Sequence, residues 1–260
     1  MIRNAGAAAP TPLWHALGLN EFRGVPVVAV VGGGGKTSLV YALAREVSAL
    51  GGRAIITGTT RFTPAPHGWP MPPLIEVATG QAASRVVQAR DLGTLVVAGV
   101  EHQPAGRLAP LSAEEIEALA AIDGVDAVLV EADGSRARPF KAPGDHEPVI
   151  PVGATHVVAV VGASVLGQPL DGTHVHRPEC VRVLVPGLPA DAVCDASLIA
   201  RVLAHAGGGR KHLGGREYAV VVNQADAHAE AARAIAEAIR QAGVARILVT
   251  ALRDAERPLR

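Results

Sequence analysis

The chain has 260 residues, of which 49% are hydrophobic, 18% charged and 3% aromatic. This apolar content is too high for intrinsic disorder, and the 29 glycines follow no three-residue period, which excludes a collagen-like fibre. With 24 basic and 24 acidic residues the formal net charge is zero. No global field therefore attracts nucleic acid or an anionic membrane, and any bound anion must be held locally.

The first predicted elements form a βαβ unit. A continuous apolar run at Val25–Val31 is typical of a strand buried in a parallel sheet, and it ends in four glycines. Apolar residues recur at helical spacing over 36–50, and a second strand is expected over 53–57. A strand, a turn, a helix and a strand in this order imply a parallel pairing with a right-handed crossover.

The rest of the chain continues the alternation. The proline-rich segment Phe62–Pro73 is expected to be a surface loop, and Ser112 opens a helix with a capping box. Further strands are predicted at Leu74–Val77, Thr94–Val100, Asp126–Glu131, His156–Gly162, Tyr218–Val222 and Arg246–Thr250, with helices near Gln81–Arg90, Ala196–His205 and Ala227–Ala242. This favours a three-layer, P-loop-NTPase-like α/β fold, a mostly parallel sheet with helices on both faces. We expect a lead-in segment over 1–23 and one domain over 24–260, with an irregular insert around 163–194.

The composition also favours a cytoplasmic protein. Cys180 and Cys194 cannot build a disulfide framework, which favours a reducing compartment. No apolar run reaches the ~20 residues that span a bilayer. The apolar stretch near the start is broken at Pro10 and is too short for the core of a signal peptide.

A glycine-rich turn joins the first strand to the first long helix; it consists of Gly32, Gly33, Gly34, Gly35, Lys36 and Thr37. In such a turn the backbone N–H groups converge on a phosphate, and the lysine reaches its β and γ oxygens. Thr37 would place its hydroxyl on Mg²⁺. Val30 occupies the first glycine position of the standard GxxxxGK[ST] pattern, so the turn matches the shorter GxxGK[ST]. The sequence predicts binding of Mg²⁺ with GTP or ATP at this turn and the following Ser38.

Carboxylates follow the strand that ends at Glu131. An apolar strand that delivers acids at its carboxyl end suits a Mg²⁺ site or a site that orients water. Glu131 and Asp133 are expected to point to the same face of an extended chain, so both could serve one ion. The hydroxyls of Thr57, Thr59 and Thr60 could contact a phosphate or a Mg²⁺-bound water, or simply end a strand.

A candidate base-reading element follows a late strand. Asn223 and Asp226 stand in an Asn-Gln-Ala-Asp sequence that resembles the guanine-reading NKxD element of GTPases. Gln224 replaces the lysine, which leaves the choice between GTP and ATP open. Residues 250–252 could form a companion base-contact loop, or a plain strand end.

Two loops carry further candidate groups. Over 134–151 the chain mixes basic and acidic residues, and four prolines stiffen it. Its basic residues, Arg136 among them, could hold a second phosphorylated ligand or supply an arginine finger; the alternative is a solvated loop. Downstream, His174, His176 and Cys180 have the donor types of a transition-metal site, but hydrogen bonding or an exposed loop explains them as well.

Together, the segments VVGGGGKTS, VEADGSRARPFKAPGDHEPVIP, HVHRPE and VNQAD resemble the YqeC-like family of selenium-dependent molybdenum hydroxylase accessory proteins. The resemblance covers roughly residues 13 to 226, and the segment from VEADGS to HEPVIP is its most specific part. It implies a nucleotide-binding protein that helps to mature or equip a molybdenum hydroxylase, with that enzyme or its maturation proteins as partners and a second ligand related to the molybdenum cofactor. The matching residues are Gly32 to Thr37 for the nucleotide loop, Glu131 and Asp133 for the acidic strand end, Arg136, Lys141, His146 and Glu147 for the signature loop, and Asn223 and Asp226 for a motif usually written with lysine at position 224.

Three functions follow from these observations. The first is a Mg²⁺-dependent NTPase acting in maturation, in which Lys36 stabilises the β and γ phosphates, Thr37 binds Mg²⁺, and Glu131 or Asp133 completes the metal shell or orients water. The second is a non-hydrolytic carrier or chaperone switched by nucleotide. The third is ATP-driven ligation or phosphoryl transfer to a small acid, because GxxGK[ST] also resembles the short loop of Mur-type ligases.

Overall fold

The protein is described by a computed structural model over residues 11–101 and 106–252. The strands are β1 (Val27–Gly32), β2 (Ala54–Gly58), β3 (Leu74–Val77), β4 (Leu95–Gly99), β5 (Ala127–Glu131), β6 (Phe140–Lys141), β7 (His156–Gly162), β8 (Val175–His176), β9 (Glu217–Asn223) and β10 (Ile247–Val249). The α-helices are α1 (Leu13–Ala16), α2 (Lys36–Ala49), α3 (Ala82–Gln88), α4 (Ala113–Ala120), α5 (Pro178–Leu184), α6 (Ala196–Ala204) and α7 (Ala229–Gln241).

Eight of the strands form one parallel sheet in the order β10-β9-β7-β1-β5-β2-β4-β3. β1 lies at the centre, between β5 and β7, because its residues are apolar on both faces. In its register Val30 pairs with Glu131 and Gly32 pairs with Val160. The carboxyl ends of the three central strands therefore meet at one edge, where the glycine-rich turn leaves β1.

Each face of the sheet is covered by its own apolar core. On one face Val28 and Val30 pack with Leu39 and Leu43 of α2. On the other face lie alternate residues of the same strands, with α3, α4, α6 and α7 packed against them. The predicted three-layer α/β fold with a mostly parallel sheet is thereby confirmed.

The predicted elements agree with the structure to within about two residues at most ends. α4 begins after Ser112, whose hydroxyl accepts from the Glu115 N–H at 3.2 Å while the Glu115 carboxylate accepts from the Ser112 N–H at 3.1 Å. The capping box read from the sequence is therefore present. Phe62–Pro73 forms the predicted loop between β2 and β3.

The insert predicted around 163–194 contains two short elements, β8 and α5. β8 pairs with β6 in a two-stranded parallel ribbon, in which Phe140 is opposite Val175 and Lys141 opposite His176. This ribbon brings the loop over 134–151 against the segment that carries His174 and His176. Strands this short cannot be predicted from the sequence, since two residues show neither an apolar run nor a periodicity.

Near the start, the described part of the lead-in segment packs on the domain. The N–H groups of Leu13 and Trp14 donate to the Glu46 carboxylate of α2, at 2.9 and 2.7 Å. Residues 1–10 of that segment lie outside the described residues, and its division from the domain stays a prediction. Within 11–101 and 106–252, no helix has both the length and the apolar character needed to cross a bilayer.

Candidate functional site

The glycine-rich turn lies at the carboxyl edge of the sheet, where the connection from β1 runs to β2 on one side and the connection from the neighbouring β7 runs to β9 on the other. Crevices at such a point are the usual ligand sites of open α/β sheets. Gly34 and Gly35 have φ angles of 78° and 144°, which favour glycine. A Cβ atom at Gly35 would also overlap the side-chain amide of Asn223. The turn is thus packed closely enough that only glycine fits at its last position before α2.

The N-terminus of α2 carries unpaired donors. Within the described part of the chain, no hydrogen bond engages the backbone N–H groups at its start, those of Gly34, Gly35, Lys36, Thr37 and Ser38. α2 has 14 residues and no side-chain cap. Free N–H groups and the positive end of the helix dipole together favour an anion at this point.

Lys36 is the first residue of α2, and two oxygen atoms hold its side-chain ammonium. Its Nζ donates to the Gly32 carbonyl at 2.7 Å and forms an ion pair with Asp133 Oδ1 at 3.3 Å. Asp133 also accepts from the Gly32 N–H at 3.0 Å and lies 3.0 Å from the Nζ atom of Lys141. Asp133 is 1% exposed. The buried Asp133 carboxylate therefore holds the turn and both lysines in position.

Glu131 plays a different structural part from Asp133. Its Oε2 accepts from the Thr37 hydroxyl at 2.8 Å. Burial raises the pKa of Glu131, and the charge of Lys36 and the Thr37 hydrogen bond oppose that rise. The hydroxyl and the carboxylate are both hard oxygen ligands of the type Mg²⁺ prefers, so these two residues fit a magnesium ion.

The turn, the acidic strand end and three loops surround one cavity of about 520 Å³. Its lining combines predicted site residues with residues from the loops after β2, β4 and β5. The residues that line the cavity include Gly34, Gly35, Lys36, Thr37, Ser38, Thr63, His67, Arg107, Glu131, Arg136, Asn223 and Gln224. Gly32, Gly33, Asp133 and Asp226 do not line it.

Arg107 and His67 also line the cavity, and no sequence motif predicts either of them. The isolated bridge between Phe62 and Leu108 brings their two loops together. Arg107 then donates to the Thr63 hydroxyl at 3.2 Å and to the Arg61 carbonyl at 2.5 Å. A bridge between two irregular segments leaves no periodic signal, so no local pattern could have found Arg107.

Asn223 connects three strand ends. Its Nδ2 donates to the Gly34 carbonyl at 2.9 Å, and its Oδ1 accepts from the Thr250 hydroxyl and the Leu252 N–H, both at 3.1 Å. Gln224, at a φ of 72°, accepts at Oε1 from the Ser164 N–H at 3.1 Å. Asp226 is exposed and lies outside the cavity lining. The amide of Asn223 is therefore engaged in holding the turn.

The strand-end threonines do not line the cavity. Thr59 donates to the Val149 carbonyl at 2.6 Å. The hydroxyls of Thr57 and Thr60 are buried, and neither has a hydrogen-bond partner in the described part of the chain. A role for these three hydroxyls in binding phosphate or a Mg²⁺-bound water stays a prediction, since none of the three residues lines the cavity.

The loop over 134–151 is held by a chain of charges. Lys141 donates to Glu147 Oε2 at 2.6 Å, and Arg177 donates to both Glu147 oxygens. Burial alone would raise the pKa of Glu147, but the hydrogen bonds from Arg177 and Lys141 outweigh it and lower that pKa. Together with Asp133, these groups link Lys36 to the β6–β8 ribbon.

The His174 region does not assemble as a metal centre. His174 Nδ1 lies 3.0 Å from Asp171 Oδ1, which also accepts two backbone N–H groups. In the two described ranges, no group of three His, Cys, Asp or Glu side chains is placed to hold a metal ion.

Comparison with known sequences places these features in one family. The model of the family described as YqeC protein matches residues 28–179, which include the glycine-rich turn, the acidic strand end and the loop over 134–151. The chain is 35% identical over 198 residues to the "Uncharacterized protein YqeC" of Escherichia coli (strain K12), an alignment that covers 72% of this chain and 71% of that protein. This chain belongs to the YqeC family.

Proposed function

We propose that this protein binds a nucleoside triphosphate with Mg²⁺ at the glycine-rich turn and hydrolyses it. The observation that carries the proposal is the convergence of unpaired N–H groups, the Lys36 ammonium and the Thr37–Glu131 pair on one cavity. These are the parts that phosphoryl transfer requires, since its catalysis is almost entirely positioning and charge stabilisation.

Each residue has a defined role in this proposal. The N–H groups at the start of α2 bind phosphate oxygens, and Lys36 stabilises the charge on the β and γ phosphates. Thr37 and Glu131 hold Mg²⁺, which neutralises phosphate charge when bound. Asp133 keeps Lys36 and the turn in position through its hydrogen bond to Gly32.

The family resemblance extends the proposal to a cellular role. We propose that nucleotide binding serves the maturation or cofactor equipping of a selenium-dependent molybdenum hydroxylase. Deleting the gene should then lower the activity of that hydroxylase without lowering the amount of its polypeptide, and a copy carrying Lys36→Ala should not restore it. Full hydroxylase activity in the deletion strain would contradict this role.

A second candidate is a nucleotide-switched carrier that does not hydrolyse its ligand. It is favoured by the engagement of both acids, since Asp133 is paired with two lysines and Glu131 accepts from Thr37. Phosphate release measured with saturating Mg²⁺ and GTP or ATP separates the two candidates. Turnover that Lys36→Ala abolishes supports the hydrolase, whereas tight binding without turnover supports the carrier.

The binding test is a titration with a fluorescent guanine nucleotide and Mg²⁺, followed by competition with GTP, ATP and CTP. We expect saturable binding to the natural chain and at least tenfold weaker binding to Lys36→Ala, which corresponds to about 1.4 kcal/mol. Arg201→Ala is the control, because Arg201 is exposed on α6 and does not line the cavity. Equal binding by Lys36→Ala and the natural chain would refute the proposed nucleotide site.

A further inference from the structure

The cavity carries positive charge from outside the glycine-rich turn, which the proposed nucleotide site does not use. Arg107 and Arg136 supply it, and the imidazole of His67 also lines the cavity. Across the whole lining, the charged groups are Lys36, Arg107 and Arg136 against the single carboxylate of Glu131. In a chain with zero formal net charge, this local excess marks the cavity as a site for more than one anionic group.

Arg136 is held at the cavity by an unusual backbone. Arg136 and Ala137 have φ angles of 50° and 60°, and the Arg138 N–H closes their turn on the Ser135 carbonyl at 3.0 Å. Consecutive left-handed residues other than glycine are strained and persist only where the surroundings impose them. Here the next residues pack directly on the glycine-rich turn, since a Cβ atom at Gly33 would overlap the Arg138 carbonyl.

The guanidinium groups differ in how they are engaged. Arg107 is oriented by the Arg61 carbonyl and the Thr63 hydroxyl, which accept from its Nη2 and Nη1 atoms. No hydrogen bond or ion pair engages the Arg136 guanidinium within 11–101 and 106–252. Guanidinium groups bind phosphate and carboxylate oxygens through paired N–H donors, so Arg136 is free to take such a group.

We propose that Arg107 and Arg136 form a second anion subsite, which binds the phosphate or carboxylate of a small substrate beside the nucleotide. This inference rests on the proposed nucleotide site, because it places the second ligand next to the phosphates held by the turn. It deepens that function by adding a second, small anionic ligand that binds beside the nucleotide.

The test uses inorganic phosphate as the probe and calorimetry as the measurement. The protein is first saturated with Mg²⁺ and a non-hydrolysable triphosphate analogue of the preferred nucleotide, so that the third phosphate position is filled. We expect one equivalent of phosphate to bind this complex. Arg136→Gln, and the double variant with Arg107→Gln, should each lower the phosphate affinity at least tenfold more than the nucleotide affinity. Arg201→Ala, the control outside the cavity, should change neither.

Three outcomes would overturn the subsite. Phosphate that binds the diphosphate complex but not the triphosphate-analogue complex would mean that the arginines serve the nucleotide's own third phosphate. No phosphate binding to either complex, or binding that both arginine variants leave unchanged, would also refute it. If the natural chain bound no nucleotide at all, the proposed function would fail by itself, and a phosphate titration of the free protein would still show whether Arg136 holds an anion.

Discussion

At the scale of single residues, Asp133 is the most constrained charge in the site. It is 1% exposed, accepts from the Gly32 N–H and pairs with both Lys36 and Lys141. Removing one partner from a buried ion pair leaves an uncompensated charge, which typically costs 3–5 kcal/mol. We expect Asp133→Asn to lower the free energy of unfolding by about 3 kcal/mol or more.

Urea denaturation measures this loss, and Asp123→Asn provides the matched control because Asp123 is exposed in the turn before β5. The control should stay within about 0.5 kcal/mol of the natural chain. Equal midpoints for the two variants would show that Asp133 is not the structural centre of the site.

Replacing Glu131 should change the free energy of unfolding at neutral pH in the opposite direction from replacing Asp133. Burial raises its pKa in the folded state above the ordinary glutamate value of 4.5. Between the ordinary and the raised pKa the folded state binds more protons than the unfolded state, so the free energy of unfolding falls as pH rises through this window. Glu131→Gln removes the charge and keeps an oxygen acceptor for Thr37. The variant should therefore be more stable than the natural chain above this window.

The measurement is a series of urea midpoints between pH 4 and pH 8, compared for the two proteins. The gain in Glu131→Gln should shrink as pH falls to about 4, where the carboxyl is protonated in both states. The same variant should bind Mg²⁺ and nucleotide more weakly, since it loses the anionic ligand. A variant that is less stable than the natural chain at pH 7 would contradict the argument.

At the scale of elements, Asn223 ties β1, β9 and β10 together at their carboxyl ends. Its amide bonds to Gly34, Thr250 and Leu252, and only 4% of the residue is exposed. Asn223→Ala should cost about 1–3 kcal/mol, because it leaves buried polar partners unsatisfied. It should also weaken nucleotide binding without changing the ratio of GTP to ATP affinity, because the Asn223 amide holds the turn and is not free to read a base.

A variant with a comparable loss of stability at a residue outside the cavity lining separates the effect on stability from the effect on nucleotide binding. Ser112→Ala removes the cap of α4 and should cost about 1 kcal/mol. We expect it to leave nucleotide affinity unchanged in the same titration. A change in the GTP to ATP ratio in Asn223→Ala, but not in Asp226→Ala, would show that Asn223 rather than Asp226 contacts the base.

The sequence predicted those elements whose physics is local. β7 has the expected bounds because a strand buried in a parallel sheet contains a continuous apolar run, here Val157–Val161, and α4 begins at its capping box. The different contacts of Glu131 with Thr37 and of Asp133 with the two lysines could not be predicted, because strand alternation places both acids on one face. Asp133 lies beyond the end of β5, where its orientation depends on the Gly32 N–H and on lysines 97 and 8 residues away along the chain. The position of Arg107 in the cavity depends on a bridge between two loops, which no local sequence pattern predicts.

At the scale of the whole molecule, the site lies in the middle of the sheet, and both cores support it. The turn leaves β1 at the centre of eight parallel strands, with α2 on one face and the β6–β8 ribbon reached through Asp133 and Lys141. The cavity is lined by segments at or after the carboxyl ends of β1, β2, β4, β5 and β9, so a ligand bound there would contact widely separated parts of the chain. Binding should therefore stabilise the domain against global unfolding, because an unfolded chain cannot bring these segments together.

Linkage fixes the size of this stabilisation. A ligand present at 100 times its dissociation constant contributes about 2.7 kcal/mol. For a domain of this size, that corresponds to a rise of about 5 to 10 °C in the melting temperature. We expect this rise with Mg²⁺ and the preferred nucleotide, and a smaller one when a chelator removes Mg²⁺. With Lys36→Ala at the same nucleotide concentration, the at least tenfold weaker binding should cut the rise to about half or less. Arg201→Ala should shift like the natural chain, since its side chain lies on α6 outside the cavity. A nucleotide-dependent rise that persists in full in Lys36→Ala would place the ligand elsewhere on the sheet edge.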